Sequence, residues 1–180
     1  MRVIAGEARG FPLKAPRDAA TRPTSDKVRG AIFSMLASLG LDAPERVLDL
    51  YAGSGALAIE ALSRGAEHAD LVERASSVCA VARENLAKTR FTERARVLQG
   101  DVERLLPDLK GPYDLVFLDP PYADARAPEV VQAVGSSGLV RQGGAIVYEH
   151  GKRTVPPAAS GAFAARPSRC HGDTCITIYV

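Results

Sequence analysis

The chain has 180 residues, 46% of them hydrophobic, enough to bury one sizeable core but not two, so a single domain over residues 1–180 is expected. A formal net charge of +2 excludes a strongly acidic or strongly basic chain, but it conceals an uneven distribution: residues 1–30 carry seven Lys or Arg against three Asp or Glu. No apolar run approaches the roughly 18 residues of a membrane span, no apolar leader follows Met1, and Cys79, Cys170 and Cys175 form no disulfide framework. A cytoplasmic protein with free thiols is therefore expected, and Cys170-His171 with Cys175 lacks the second close pair of ligands that a zinc site needs, so no metal is predicted.

In chain order, Val3-Ile4 and Phe11 to Leu13 flank Gly6 and Gly10 as a small hairpin. Arg22-Pro23-Thr24-Ser25-Asp26 carries helix-start chemistry ahead of Val28, Ala31, Ile32, Met35, Leu36 and Leu39, which share one helical face. From Arg46 onward, short aliphatic runs alternate with amphipathic stretches. Strands are predicted at Arg46 to Tyr51, Ala69 to Glu73, Ala95 to Gln99, Tyr113 to Leu118 and Ala145 to Glu149. Helices are predicted at Ala56 to Arg64, Ser76 to Lys88, a short stretch before Pro107, and Pro128 to Val134. That alternation specifies a doubly wound α/β fold with a mostly parallel sheet. Candidate strands at Ala162 to Arg166 and Thr174 to Val180, joined by a turn at Cys170 to Asp173, predict a closing antiparallel hairpin. Residues 1–40 thus read as a basic hairpin and helix, and residues 41–180 as the core.

The segment from Asp49 to Leu57 joins the first strand to its helix. Gly53 and Gly55 permit a tight turn and close approach of a ligand to the unpaired amides of the helix start. With Ala58 they also fit the loose dinucleotide pattern G-x-G-x-x-G/A, which leaves a nicotinamide-dependent oxidoreductase open as a rival. Asp49 weighs against that rival, because a carboxylate just before the loop repels a pyrophosphate and attracts a cation such as the sulfonium or α-amino group of S-adenosylmethionine. Glu73 closes the second strand, where a carboxylate can accept both ribose hydroxyls. Asp101, followed by Val102, ends the third strand, where it can accept from an adenine amino group. Each acid alone could be a helix cap.

Asp119-Pro120-Pro121-Tyr122 follows the apolar run Leu115 to Leu118 directly. Each proline forces the residue before it out of the helical region, so carboxylate and carbonyls are held in a stiff, extended bend. An aromatic exocyclic amine is a poor nucleophile, since its lone pair is delocalised into the ring. If Asp119 and the Pro120 carbonyl each accept one of its N–H bonds, the lone pair is aimed at a methyl donor. Tyr122 supplies a stacking face worth roughly 1–3 kcal/mol per base. His68, His150 and His171 have no nucleophile to pair with and are expected to be solvated or capping. Lys152-Arg153 reads as a solvated pair.

These residues resemble the RsmD family, bacterial methyltransferases acting on a guanine N2 of small-subunit ribosomal RNA. The similarity covers Met1 to Gly10, Arg22 to Arg29, Asp49 to Gly55, Asp119 to Tyr122 and Gly172 to Thr174. It implies a class I, Rossmann-like S-adenosylmethionine-dependent methyltransferase fold, with the cofactor at Asp49, Gly53, Gly55, Glu73, Asp101 and Val102. Catalysis would fall to Asp119, Pro120 and Tyr122, and RNA contact to Arg9, Lys14, Arg17, Arg22, Thr24, Lys27 and Arg29. The expected partner is ribosomal RNA or the small subunit during assembly, met by a monomer. Gly30 departs from the family pattern and weakens its helix. The corner tetrapeptide is shared with DNA amino methyltransferases and, as an Asn variant, with protein glutamine methyltransferases, so those targets stay open, as does a non-catalytic RNA-binding factor.

Overall fold

The computed structural model describes residues 1–16 and 25–180. Arg17, Arg22 and Thr24, three of the expected RNA contacts, lie outside the described residues. Helix α1 (Asp26–Ser38) starts where the Ser25 hydroxyl accepts the Val28 amide, an N-cap followed by an acid in the first turn. Strands β1 (Arg46–Leu50), β2 (His68–Glu73), β3 (Ala95–Gln99) and β4 (Tyr113–Leu118) alternate with helices α2 (Ala56–Ser63), α3 (Ser76–Lys88) and the single turn α4 (Val102–Leu105). Helix α5 (Ala127–Ser136) and the long strand β5 (Val140–Gly151) follow, and then β6 (Ala159–Ser160), β7 (Phe163–Ala164), β8 (Arg169–His171) and β9 (Thr174–Tyr179).

The main sheet has the order β3-β2-β1-β4-β5-β9-β8. Strands β1 to β5 are mutually parallel, and β9 enters antiparallel beside β5. The strand order reverses between β1 and β4, a topological switch point, and crevices for ligands form at such points outside the carboxyl ends of the strands. Two apolar layers sandwich the sheet. Val47, Leu115, Phe117, Val147, Ile176 and Ile178 pack under α1, α2 and part of α3. Leu48, Leu50, Val116, Leu118, Ile146 and Tyr148 pack on α5 and the segment from Val102 to Leu109. Burial on both faces is why β1 and β4 read as largely apolar runs instead of alternating ones.

Two expectations need correction. The hairpin partner of β9 is β8, with Cys170 opposite Cys175 across the pair, and the turn shrinks to Gly172-Asp173. The stretch Ala162 to Arg166 lies beyond β8 along the same edge, with Ala164 and Val180 exchanging backbone hydrogen bonds and the Arg166 amide donating to Ile178. Cys170 and Cys175 are joined in a disulfide, while Cys79 is a buried free thiol. Facing positions of an antiparallel pair bring two Cys within bonding reach, which their sequence separation of five does not reveal. No helix among the described residues is long and apolar enough to cross a membrane.

Candidate active site

β1 and β4 are hydrogen-bonded neighbours with Leu50 opposite Leu118, so Tyr51 and Asp119 leave the sheet side by side. The glycine turn and the acid-proline-proline corner therefore share one edge. In the turn, Tyr51 is a non-glycine residue at φ 63° and Gly53 and Gly55 sit at φ 54° and 77°. A Cβ on Gly55 would lie 2.9 Å from Leu71 Cδ2, so both conformation and space demand glycine there. Tyr51 holds a conformation that ordinary side chains avoid, a strain typical of ligand-binding turns.

Asp49 is 1% exposed and accepts the Ala58 amide of α2 at 3.1 Å. Burial raises its pKa to about 8, aided by the charges of Asp119 and Glu73 and opposed by the Ala58 hydrogen bond. A buried carboxyl surrounded by other acids is matched to a cationic ligand, whose charge would let it ionise. Glu73 spans the turn, accepting the Gly53 amide at 3.1 Å on one oxygen and the Ala75 amide at 2.8 Å on the other. Asp101 caps α4 by accepting the Glu103 amide. The Val102 side chain is buried in the core, so what it can offer a ligand is its backbone amide. The donor set, a cation-seeking carboxylate beside open helix amides with a second and third acid at successive strand ends, fits the α-amino, ribose and adenine groups of S-adenosylmethionine.

At the corner, Pro120 is buried and Tyr122 is 44% exposed. The Tyr122 hydroxyl and the Thr174 hydroxyl lie 2.6 Å apart, and this bond anchors the end of the ring to β9. Pro120, Pro121, Tyr122, Glu149 and Gly151 border one shallow cleft. Tyr51 stands across the same edge, and its phenol is pushed up by burial and then by the carboxylates of Asp124, Glu103 and Asp101.

The basic arm is pinned onto α2 and α3. Glu60 of α2, fully buried, accepts the Ile4 and Ala5 amides at 2.8 and 3.0 Å. The Ser63 hydroxyl accepts from the Ala8 amide and donates to the Ala5 carbonyl. Asn85 of α3, also fully buried, exchanges two hydrogen bonds with the Lys14 backbone and donates to the Ser54 carbonyl inside the glycine turn. Glu60, Ser63, Asn85 and Tyr51 were not legible as functional positions. The signal for Asn85 was its place one turn from Ala82 on the buried face of α3.

Of the expected RNA contacts, Arg9 and Lys27 are exposed and Lys14 pairs with Glu84 at 2.6 Å. Arg29 departs from expectation. Its side chain is fully buried, donating to Asp26 at 2.9 Å and to the Arg2 carbonyl, so it ties α1 to the arm instead of facing a partner. Helical spacing gave that signal, since Arg29 shares a face with Ile32, Phe33 and Leu36. His150 is likewise a correction: it is 4% exposed, neither solvated nor a cap. Burial lowers its pKa and keeps it neutral, so Nδ1–H donates to the Gly151 carbonyl and Nε2 accepts from the Thr177 hydroxyl at 2.9 Å.

A family model described as "Conserved hypothetical protein 95" matches residues 1–180. The chain belongs to this family, the RsmD family. Among RsmD-family relatives, the chain is 37% identical over 161 residues to the Escherichia coli (strain K12) protein named "Ribosomal RNA small subunit methyltransferase D", covering 87% of this chain and 79% of that one. It is 36% identical to YlbH of Bacillus subtilis (strain 168) over 99% of this chain and 98% of that one. The solved structure of yhhF from Escherichia coli matches with a TM-score of 0.84 and 32% identity over 99% of this chain and 96% of that one. The RsmD-family fold seen here is the class I, Rossmann-like methyltransferase fold.

Proposed function

We propose that this RsmD-family protein transfers a methyl group from S-adenosylmethionine to the exocyclic N2 of a guanine in small-subunit ribosomal RNA. It acts as one cytoplasmic, monomeric methyltransferase domain whose arm, residues 1–40, meets the RNA. The observation that carries the reading is the shared sheet edge, with the glycine turn after β1 and the corner after its parallel neighbour β4. The relative named for small-subunit ribosomal RNA supports the substrate.

When bound, S-adenosylmethionine supplies an electrophilic methyl group. Asp49 holds the cationic amino-acid end, Glu73 the ribose and Asp101 the adenine amino group, all through acceptors the fold presents at strand ends. Asp119 and the Pro120 carbonyl accept the two N–H bonds of the target amine and free its lone pair, which costs no reorganisation because the prolines have set the bend already. Tyr122 stacks on the base and, through Thr174, keeps it in plane. Once methylated, the nitrogen loses a proton to Asp119 or to water, so no stronger base is required.

Asp119→Ala tests the assignment. Transfer to small-subunit RNA should fall at least about a hundredfold, while S-adenosylhomocysteine is still bound at least as well as by the wild-type protein, since removing the Asp119 charge eases ionisation of Asp49. Retained transfer would remove Asp119 from the chemistry, and no transfer by the wild-type protein either would leave an RNA-binding factor as the better reading.

A further inference from the structure

Glu149 takes no part in the mechanism above, yet it stands beside its centre. β4 and β5 pair in parallel with Phe117 opposite Val147 and Leu118 opposite Tyr148, so the next pair in register is Asp119 and Glu149. Adjacent strands are about 4.8 Å apart. Phe117 and Val147 share the apolar layer under α1 and α2, and Leu118 and Tyr148 share the opposite one. Side chains alternate along strands, so Asp119 and Glu149 fall in step on the α1/α2 face. Asp49, in register with Phe117, belongs to that face as well. Glu149 is 5% exposed and borders the cleft that Pro120, Pro121 and Tyr122 form.

We infer that Glu149 reads the N1–H of the target guanine and so selects guanine among the bases that carry an exocyclic amine; the inference rests on the methyltransferase reading above. Guanine is the one such base whose amine is flanked on the pairing edge by a donor. N1–H and N2–H point the same way, and two neighbouring carboxylates, which only accept, match them. Adenine and cytosine present a lone pair at the corresponding ring nitrogen, which a carboxylate would repel. The amine alone cannot make this distinction, since all three bases offer two N–H bonds to Asp119 and the Pro120 carbonyl. A second acceptor beside Asp119 can.

The test compares small-subunit RNA segments carrying the unmodified target guanine with segments carrying 2-aminopurine in its place, which keeps the N2 amine but has a lone pair at N1 and a hydrogen where guanine has O6. The wild-type protein should favour guanine by at least about a hundredfold in kcat/KM, as a site built to hydrogen-bond a donor rejects the analogue without it. Glu149→Gln, whose amide can donate as well as accept, should shrink that preference to below about tenfold while leaving affinity for S-adenosylhomocysteine unchanged. An unaltered preference in E149Q would overturn the inference, because a carboxylate that only supports the fold would slow both substrates alike. Should E149Q fail to fold, the wild-type ratio decides: a value near one means N1–H is not read at all and also overturns it. Methyl transfer by the wild-type protein to adenine N6 in place of guanine would overturn the proposed function itself, a result distinct from either.

Discussion

The affinity for S-adenosylhomocysteine should rise steeply with pH, and Asp49 is the reason. In the free protein, burial holds its carboxyl at about pKa 8, so at pH 6 only about one molecule in a hundred is ionised. A ligand ammonium needs the carboxylate and lowers its pKa in the complex, so binding below pH 8 releases a proton and Kd falls with rising pH. With the complexed carboxyl titrating below pH 6, Kd should drop about fifty-fold between pH 6 and pH 8. Above pH 8 at most about a further twofold gain is left, since Asp49 is half ionised at its pKa, and the ligand's α-ammonium begins to lose its own proton. Isothermal titration calorimetry at several pH values, in buffers of different ionisation enthalpy, reads both the slope and the proton released. Asp49→Asn should bind weakly at pH 8 and show no such slope. The stability of the free protein gives an independent check of sign. A carboxyl whose folded pKa lies above its unfolded value stabilises below about pH 4 and loses that contribution as pH rises towards 8. Asp49→Asn should therefore gain thermal stability relative to wild type as pH rises from 4 to 8. A wild-type Kd that is flat from pH 6 to pH 8 would refute the assignment of Asp49 to the cationic end of the ligand.

Three further outcomes follow from packing. A Cβ on Gly6 would sit 1.7 Å from the Ser63 carbonyl oxygen, at φ +81°, so Gly6→Ala should detach the arm from α2; RNA-binding assays should show weaker association with cofactor affinity nearly intact. Asn85→Leu removes three hydrogen bonds from a fully buried site and should cost about 2–4 kcal/mol in urea unfolding; it should also weaken S-adenosylhomocysteine binding, because the Ser54 carbonyl in the turn loses its donor. Gly30 lies inside α1 with open space around a would-be Cβ, so Gly30→Ala should stabilise by about 0.5–1 kcal/mol, read as a small rise in Tm.

Several strands and helices were legible because their chemistry is local. Ala95–Gln99, Tyr113–Leu118 and Ser76–Lys88 lie where hydrophobic period and flanking turns place them, and the position of the corner one residue after β4 follows from the apolar run it ends. β5 is longer than the expected strand Ala145 to Glu149, because Val140 also pairs with Tyr113 and Arg141 to Gly144 span the register shift between that pair and the one at Ala145. The disulfide and the β8 hairpin partner depend on which segments meet in space, and local propensity is silent on that. The same holds for the site. The sequence marks Asp49, Glu73 and Asp119 by their positions at strand ends, whereas Glu60, Asn85 and Glu149 acquire meaning only from the neighbours that the sheet order and the docked arm bring to them.

The most direct test of the account is nucleoside mass spectrometry of small-subunit ribosomal RNA from cells lacking the gene. One N2-methylguanosine should be missing and should return with the wild-type gene but not with Asp119→Ala. An unchanged set of methylated guanosines would contradict the account.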